Sequence, residues 1–128
     1  MKLNSRAFSL VEVLAAVAII GIIVFLALPN VIQAKLDSEE QMVITRAEAL
    51  NISISAYITA NGRSNAGTNW AATSTATDVN AAKYALVKGY MAYAPINLTD
   101  YQPSGYTFEL GSLDAKVGIK RGTTAILY

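Results

Sequence analysis

The sequence predicts an α+β fold: a long N-terminal α-helix packed against a small C-terminal three-stranded antiparallel sheet. Three observations predict it. An unbroken apolar run near the N-terminus has helical length, and an apolar stripe at helical spacing continues it to residue 60. Alternating apolar and polar residues, divided by glycine turns, close the chain. The 128 residues divide into a basic leader (1–7), a membrane-spanning half of the helix (8–29), an amphipathic half (30–60) and a globular head (61–128).

From Val13 to Leu28 the sequence reads VLAAVAIIGIIVFLAL, sixteen residues without a polar side chain. The wider stretch from Ala7 to Leu28 has 22 residues, about 33 Å at helical rise. About 20 such residues cross a bilayer's hydrocarbon core. Lys2 and Arg6 ahead of the run favour a cytoplasmic N-terminus. As a cleaved secretory signal the run is longer than the usual ~7–15 residues, and bulky Phe25 stands where a small residue is needed. A plain membrane anchor leaves Glu12 unexplained.

An ionised side chain at the centre of a membrane helix costs about 2.5–3.5 kcal/mol on insertion scales. Glu12 lies near one end, so two readings stand. It snorkels to the cytoplasmic interface, or it pairs with a buried cation. No Lys or Arg lies between Ala7 and Ile32, so that cation comes from elsewhere. A cut just before Phe8 would create one, as a free α-amino group.

The string Ala7-Phe8-Ser9-Leu10-Val11-Glu12-Val13-Leu14 resembles the N-terminal signature of type IV pilins and type II secretion pseudopilins. Those precursors carry a basic leader, a small residue before the cut, then Phe and a Glu four residues later. Pro29 also falls where the family often has a helix-bending proline. One departure is Ala7, where the family usually has Gly. The resemblance implies cleavage between Ala7 and Phe8 by a membrane prepilin peptidase, followed by N-methylation of Phe8. Removing Lys2 and Arg6 leaves eight basic and nine acidic side chains, so the net charge goes from +1 to −1. It further implies that Glu12 of an incoming subunit meets the Phe8 amine of a neighbour during assembly. Pairing of Glu12 with its own amine is the intramolecular rival.

Beyond Pro29, apolar residues at Leu36, Val43, Ala47, Leu50, Ile54 and Tyr57 fall on one helical stripe. Lys35 and Glu39 stand four apart on the polar side. Asn61-Gly62 is the expected stop. Gly21 is a poor helix former and Pro29 lacks an N–H, so bending is expected at both.

In the head, Gly62–Thr77 is rich in Gly, Ser, Thr and Asn and reads as a long loop pinned by Trp70. Asp78 is placed to cap a helix from Val79 to Val87, with Tyr84 and Val87 on one side. Strands are expected at Tyr106–Leu110, Ala115–Lys120 and Thr123–Tyr128, with turns at Gly111–Asp114 and Arg121-Gly122. So small a sheet needs a covering helix, which the stripe supplies. The seven tyrosines all lie at or after Tyr57 and read mainly as a finish to a small core.

Composition excludes much chemistry. The chain has no His and no Cys, which removes the common zinc sites, thiol nucleophiles and Ser-His triads. No phosphate loop or nucleophile elbow occurs, so no catalytic residue, metal or cofactor is expected. Asp100 and Asp114 are isolated acids and read as solvated turn residues. Lys116, Lys120 and Arg121 read as a solvated strand face, and a nucleic-acid partner is not expected.

The expected function is structural: a subunit of a type IV pilus or type II secretion pseudopilus, polymerised through its N-terminal helix. Its partners by resemblance are the lipid bilayer, the prepilin peptidase, an inner-membrane assembly platform and other pilin-like subunits. It would begin as a single-pass inner-membrane precursor and end in a periplasmic or extracellular filament. The alternatives are a competence pseudopilin aiding DNA uptake and a membrane-anchored binding domain that never polymerises.

Overall fold

The structure, a computed structural model, describes residues 8–128. Lys2, Arg6 and Ala7, and with them the leader and one side of the expected cut, lie outside the described residues. Helix α1 runs from Leu10 to Asn61, through Gly21 and Pro29 without a break. The chain divides into two units, with the boundary between Glu39 and Glu40.

In the first unit, every large apolar side chain from Phe8 to Ile32 is exposed. A helix apolar on all sides has no face to offer water, so another apolar phase must cover it. Leu36 is half-buried, and the Lys35–Glu39 pair forms at 3.8 Å between exposed side chains. Pairs of this kind contribute little.

The second unit, Glu40–Tyr128, has its own core. Val43, Ala47, Leu50, Ile54 and Tyr57 are buried at gaps of four and three, as one helical stripe requires. Against them pack α2 (Arg63–Ala72), α3 (Val79–Val87), α4 (Leu98–Tyr101) and a sheet of β1 (Tyr106–Glu109), β2 (Gly118–Arg121) and β3 (Thr124–Ile126). The sheet is antiparallel in the order β1-β2-β3, with Phe108 opposite Ile119 and Ile119 opposite Ile126. Gly122, at a φ of 60°, makes the turn from β2 to β3.

Two expectations are corrected. The Gly62–Thr77 segment is not a loop. Gly62, at a φ of 76°, ends α1, and α2 begins at the next residue. The intrinsic propensity of RSNAGTNWAA is low. Its helix is held by burial of Ala66 and Trp70, one turn apart, and by the Trp70 indole N–H, which donates to the Gly111 carbonyl at 3.0 Å. Trp70 thus packs on its own domain.

The second correction concerns the start of β2, at Gly118 and not Ala115; Ala115 is exposed. The connection before it is held by side chains from the helices. Lys83 Nζ donates to the Leu110 and Gly111 carbonyls at 2.7 and 2.6 Å, and Asn80 Oδ1 accepts the Leu110 N–H at 2.9 Å. Asn51 Oδ1 accepts the Val117 N–H at 2.9 Å. These bonds occupy backbone groups that a longer strand ladder would need.

Other expectations hold. Asp78 accepts the Ala81 N–H at 2.9 Å and caps α3, whose Tyr84 and Val87 are buried. Five of the seven tyrosines are buried or half-buried, and Tyr90 and Tyr93 are exposed. Arg46 and Tyr101 form a reciprocal latch: the guanidinium donates to the Tyr101 carbonyl, and the phenol donates to the Arg46 carbonyl. Tyr101 also stacks on Tyr84, with ring centroids 6.1 Å apart.

Asn51 ties α1 to the C-terminal strand region. Beside its bond to Val117, its amide donates to the Tyr128 hydroxyl, which donates in turn to the Val117 carbonyl. Asn51→Ala strands a buried N–H and is expected to cost about 1–3 kcal/mol. The Tyr57 hydroxyl, by contrast, is buried with no hydrogen-bond partner among the described residues. Tyr57→Phe is expected to be neutral or stabilising, since it removes an unsatisfied group. Thermal melting of the detergent-solubilised variants checks both.

Burial raises the Tyr84 phenol above its usual 10.0, and the nearby Tyr101 and Asp100 reinforce the rise. Burial also raises Tyr101, partly offset by Arg46. The unfolded chain releases these protons first, so stability present below pH 10 is lost as pH rises through the folded values. Lys83 is lowered by burial from 10.5, which has the opposite sign and levels off as pH passes that value. Stability is therefore expected to fall above pH 10.5, and less steeply in Tyr101→Phe. Urea denaturation midpoints across that range test it.

Candidate functional site at the start of α1

Ser9-Leu10-Val11-Glu12 has the S-x-x-E pattern of a capping box ahead of an apolar run. The geometry fulfils it. Ser9 is non-helical, and its Oγ accepts the Val11 N–H at 3.2 Å. Glu12 Oε2 accepts the Ser9 N–H at 2.8 Å, while the Ser9 carbonyl accepts the Glu12 N–H at 3.0 Å. The first turn thereby satisfies backbone donors that would otherwise be orphaned at the apolar end. The carboxylate also sits where the helix dipole favours negative charge.

Glu12 therefore has a partner of its own, and that partner is an amide. Among the described residues no Lys or Arg pairs with it. Phe8, on the described side of the expected cut, is non-helical and 86% exposed. In this uncut chain the Phe8 nitrogen belongs to a peptide bond and carries no charge. The role of Ser9 is absent from the composition and from the apolar run. The three-residue spacing from Ser9 to Glu12 is the signal that finds it.

The remaining candidates lie apart. Nothing stands within 4 Å of a Cβ built on Gly21. Pro29 lies inside α1 and cannot donate to the Phe25 carbonyl. Asp100 accepts from the Asn97 amide at 3.0 Å, and Asp114 pairs with Arg63. No group of three or more metal-ligating side chains forms among the described residues. Lys120 pairs with Glu109 at 2.6 Å, Lys116 lies 5.0 Å from the Tyr128 ring centroid, and Arg121 lies 5.7 Å from that of Tyr106.

A helix with an apolar stretch long enough to cross a membrane, opened by a capped carboxylate, fits a membrane-anchored precursor. Residues 2–28 match the family described as the prokaryotic N-terminal methylation motif, which is the prepilin signal of type IV pilins and pseudopilins. That match supports a pilin-like or pseudopilin precursor and covers 27 of the 128 residues, at the N-terminal end. Neither the curated proteins nor the solved structures gave a match.

The cap carries a direct test. Ser9→Ala removes the hydroxyl acceptor, a change that costs a helix about 0.5–2 kcal/mol. Amide exchange at Val11 and Glu12, in detergent micelles, is expected to quicken while exchange in α3 stays unchanged.

Proposed function

We propose that the chain is a structural subunit of a type IV pilus or type II secretion pseudopilus, polymerised through α1. The observation that carries this reading is a lone carboxylate, Glu12, at the tip of a helix whose apolar side chains are exposed from Phe8 to Ile32. A simple anchor needs the apolar surface but gains nothing from the acid. A polymer gains from both. Lipid covers the helix before assembly and neighbouring helices cover it afterwards, while the acid meets the one cation that processing creates.

In this reading a prepilin peptidase cuts between Ala7 and Phe8, and the new Phe8 amine is methylated with its positive charge kept. Glu12 then exchanges its bond to the Ser9 N–H for the Phe8 amine of a neighbour. Low dielectric strengthens that attraction, and desolvation offsets much of it. The pair therefore sets register and recognition more than raw stability. Gly21 and Pro29 are the points at which the helix bends to follow its neighbours. An inner-membrane assembly platform draws the subunit from the bilayer into a periplasmic or extracellular filament.

Glu12→Ala is expected to leave membrane insertion intact and to abolish filaments, as read by membrane fractionation and electron microscopy. Wild-type filament numbers in that variant would refute the reading.

A further inference from the structure

Two asparagines of the second unit open the triplet N-x-S/T, the acceptor pattern for N-linked saccharides: Asn51-Ile52-Ser53 and Asn97-Leu98-Thr99. The structure treats them oppositely. Asn51 lies inside α1, and both ends of its amide are engaged, by Val117 and by Tyr128. Ser53 is 1% exposed and gives its hydroxyl hydrogen to the Leu50 carbonyl. That triplet is closed to a glycosyl donor. Asn97 and Thr99, by contrast, are both exposed, on either side of buried Leu98.

Neither exposed side chain performs the structural task its position suggests. Asn97 precedes α4 with extended backbone, at φ −111° and ψ 150°, but its side chain does not cap the helix. Its Nδ2 donates instead to Asp100 Oδ2 at 3.0 Å, which uses one of the two amide hydrogens. Thr45, Thr59 and Thr68, on longer helices, return their hydroxyls to the carbonyl four residues back. Thr99 makes no such bond among the described residues, and the Pro95 and Ile96 carbonyls behind it accept from Tyr84 and Lys88. Helix α4 is one turn of four residues, too short for cooperative stability of its own. The triplet thus sits on backbone that a transferase can reshape. Asn97 and Thr99 also line an open groove of about 730 Å³, with Lys88, Gln102, Thr107 and Glu109 among its further polar lining. Such a recess offers donors and acceptors to the hydroxyl groups of a sugar.

We propose that Asn97 is a glycosylation site, carrying an N-linked saccharide beside α4. The co-reactant is a sugar activated at C1 as a diphosphate. Asn97 Nδ2 forms a bond to C1, the bond from C1 to the diphosphate oxygen breaks, and its electron pair leaves with the diphosphate. Nδ2 gives up one of its two hydrogens as a proton to a base of the transferase. The other hydrogen remains, so the bond to Asp100 survives the modification. The site needs the head to lie across the membrane from Lys2 and Arg6, as the basic leader favours, and it holds whether or not the chain polymerises.

Mass spectrometry of the full chain, purified from the membranes of the organism that encodes it, tests the site. The intact mass is expected to exceed that of the polypeptide by one or more whole sugar residues. Electron-transfer fragmentation is expected to place them on Asn97, with Asn51 unmodified in the same digest. Asn97→Gln and Thr99→Ala, made in the same cells, are each expected to reach the membrane and lose the added mass, and Thr99→Ser to keep it. An unmodified Asn97, a saccharide on Asn51 or only on Ser and Thr hydroxyls, or added mass that persists in Thr99→Ala overturns the proposal. None of these results touches the filament reading.

Discussion

The bond from the Ser9 N–H to Glu12 Oε2 is the interaction on which the first unit depends. An apolar helix can cross a bilayer only if its own ends are satisfied, because lipid offers the backbone no partners. Here the end and the charge are satisfied together: the acid closes the first turn, and the turn gives the acid a donor. A carboxylate bonded to an amide at a helix N-terminus is easier to hold near lipid than a bare one. The start of α1 thus satisfies its backbone and holds its charge with one side chain.

The second unit solves a different problem. Its sheet has three strands of three or four residues each, too little to hold its own register in water. Side chains from the helices complete what the ladder lacks. Asn51, Asn80 and Lys83 hold residues 110–117 by their backbone atoms, and Arg46 ties α1 to α4 at Tyr101. With no cysteine available, these bonds do the stapling that many small extracytoplasmic domains leave to disulfides.

Where side-chain periodicity drives folding, the sequence was readable. The α1 stripe, the Asp78 cap and the Phe108 and Ile119 core positions follow from spacing alone. Where tertiary bonds override local propensity, it was not. The weak helix of α2 depends on Trp70 reaching Gly111, a residue 41 positions away. The start of β2 depends on Asn51, 66 positions before Val117. Such pairings leave no local pattern. At the site, Glu12 stood out as an acid among apolar residues, whereas Ser9, small and common, showed its part only through its spacing from Glu12.

The central claim is that the tip of α1 is made to be exposed by processing, so that a capped acid can meet a new cation. The most direct measurement is mass spectrometry of the N-terminus of the chain purified from membranes and filaments. A mature chain beginning at N-methylated Phe8 is predicted. An intact Met1, or a chain cut near Ala27 at the far end of the apolar run, would contradict it.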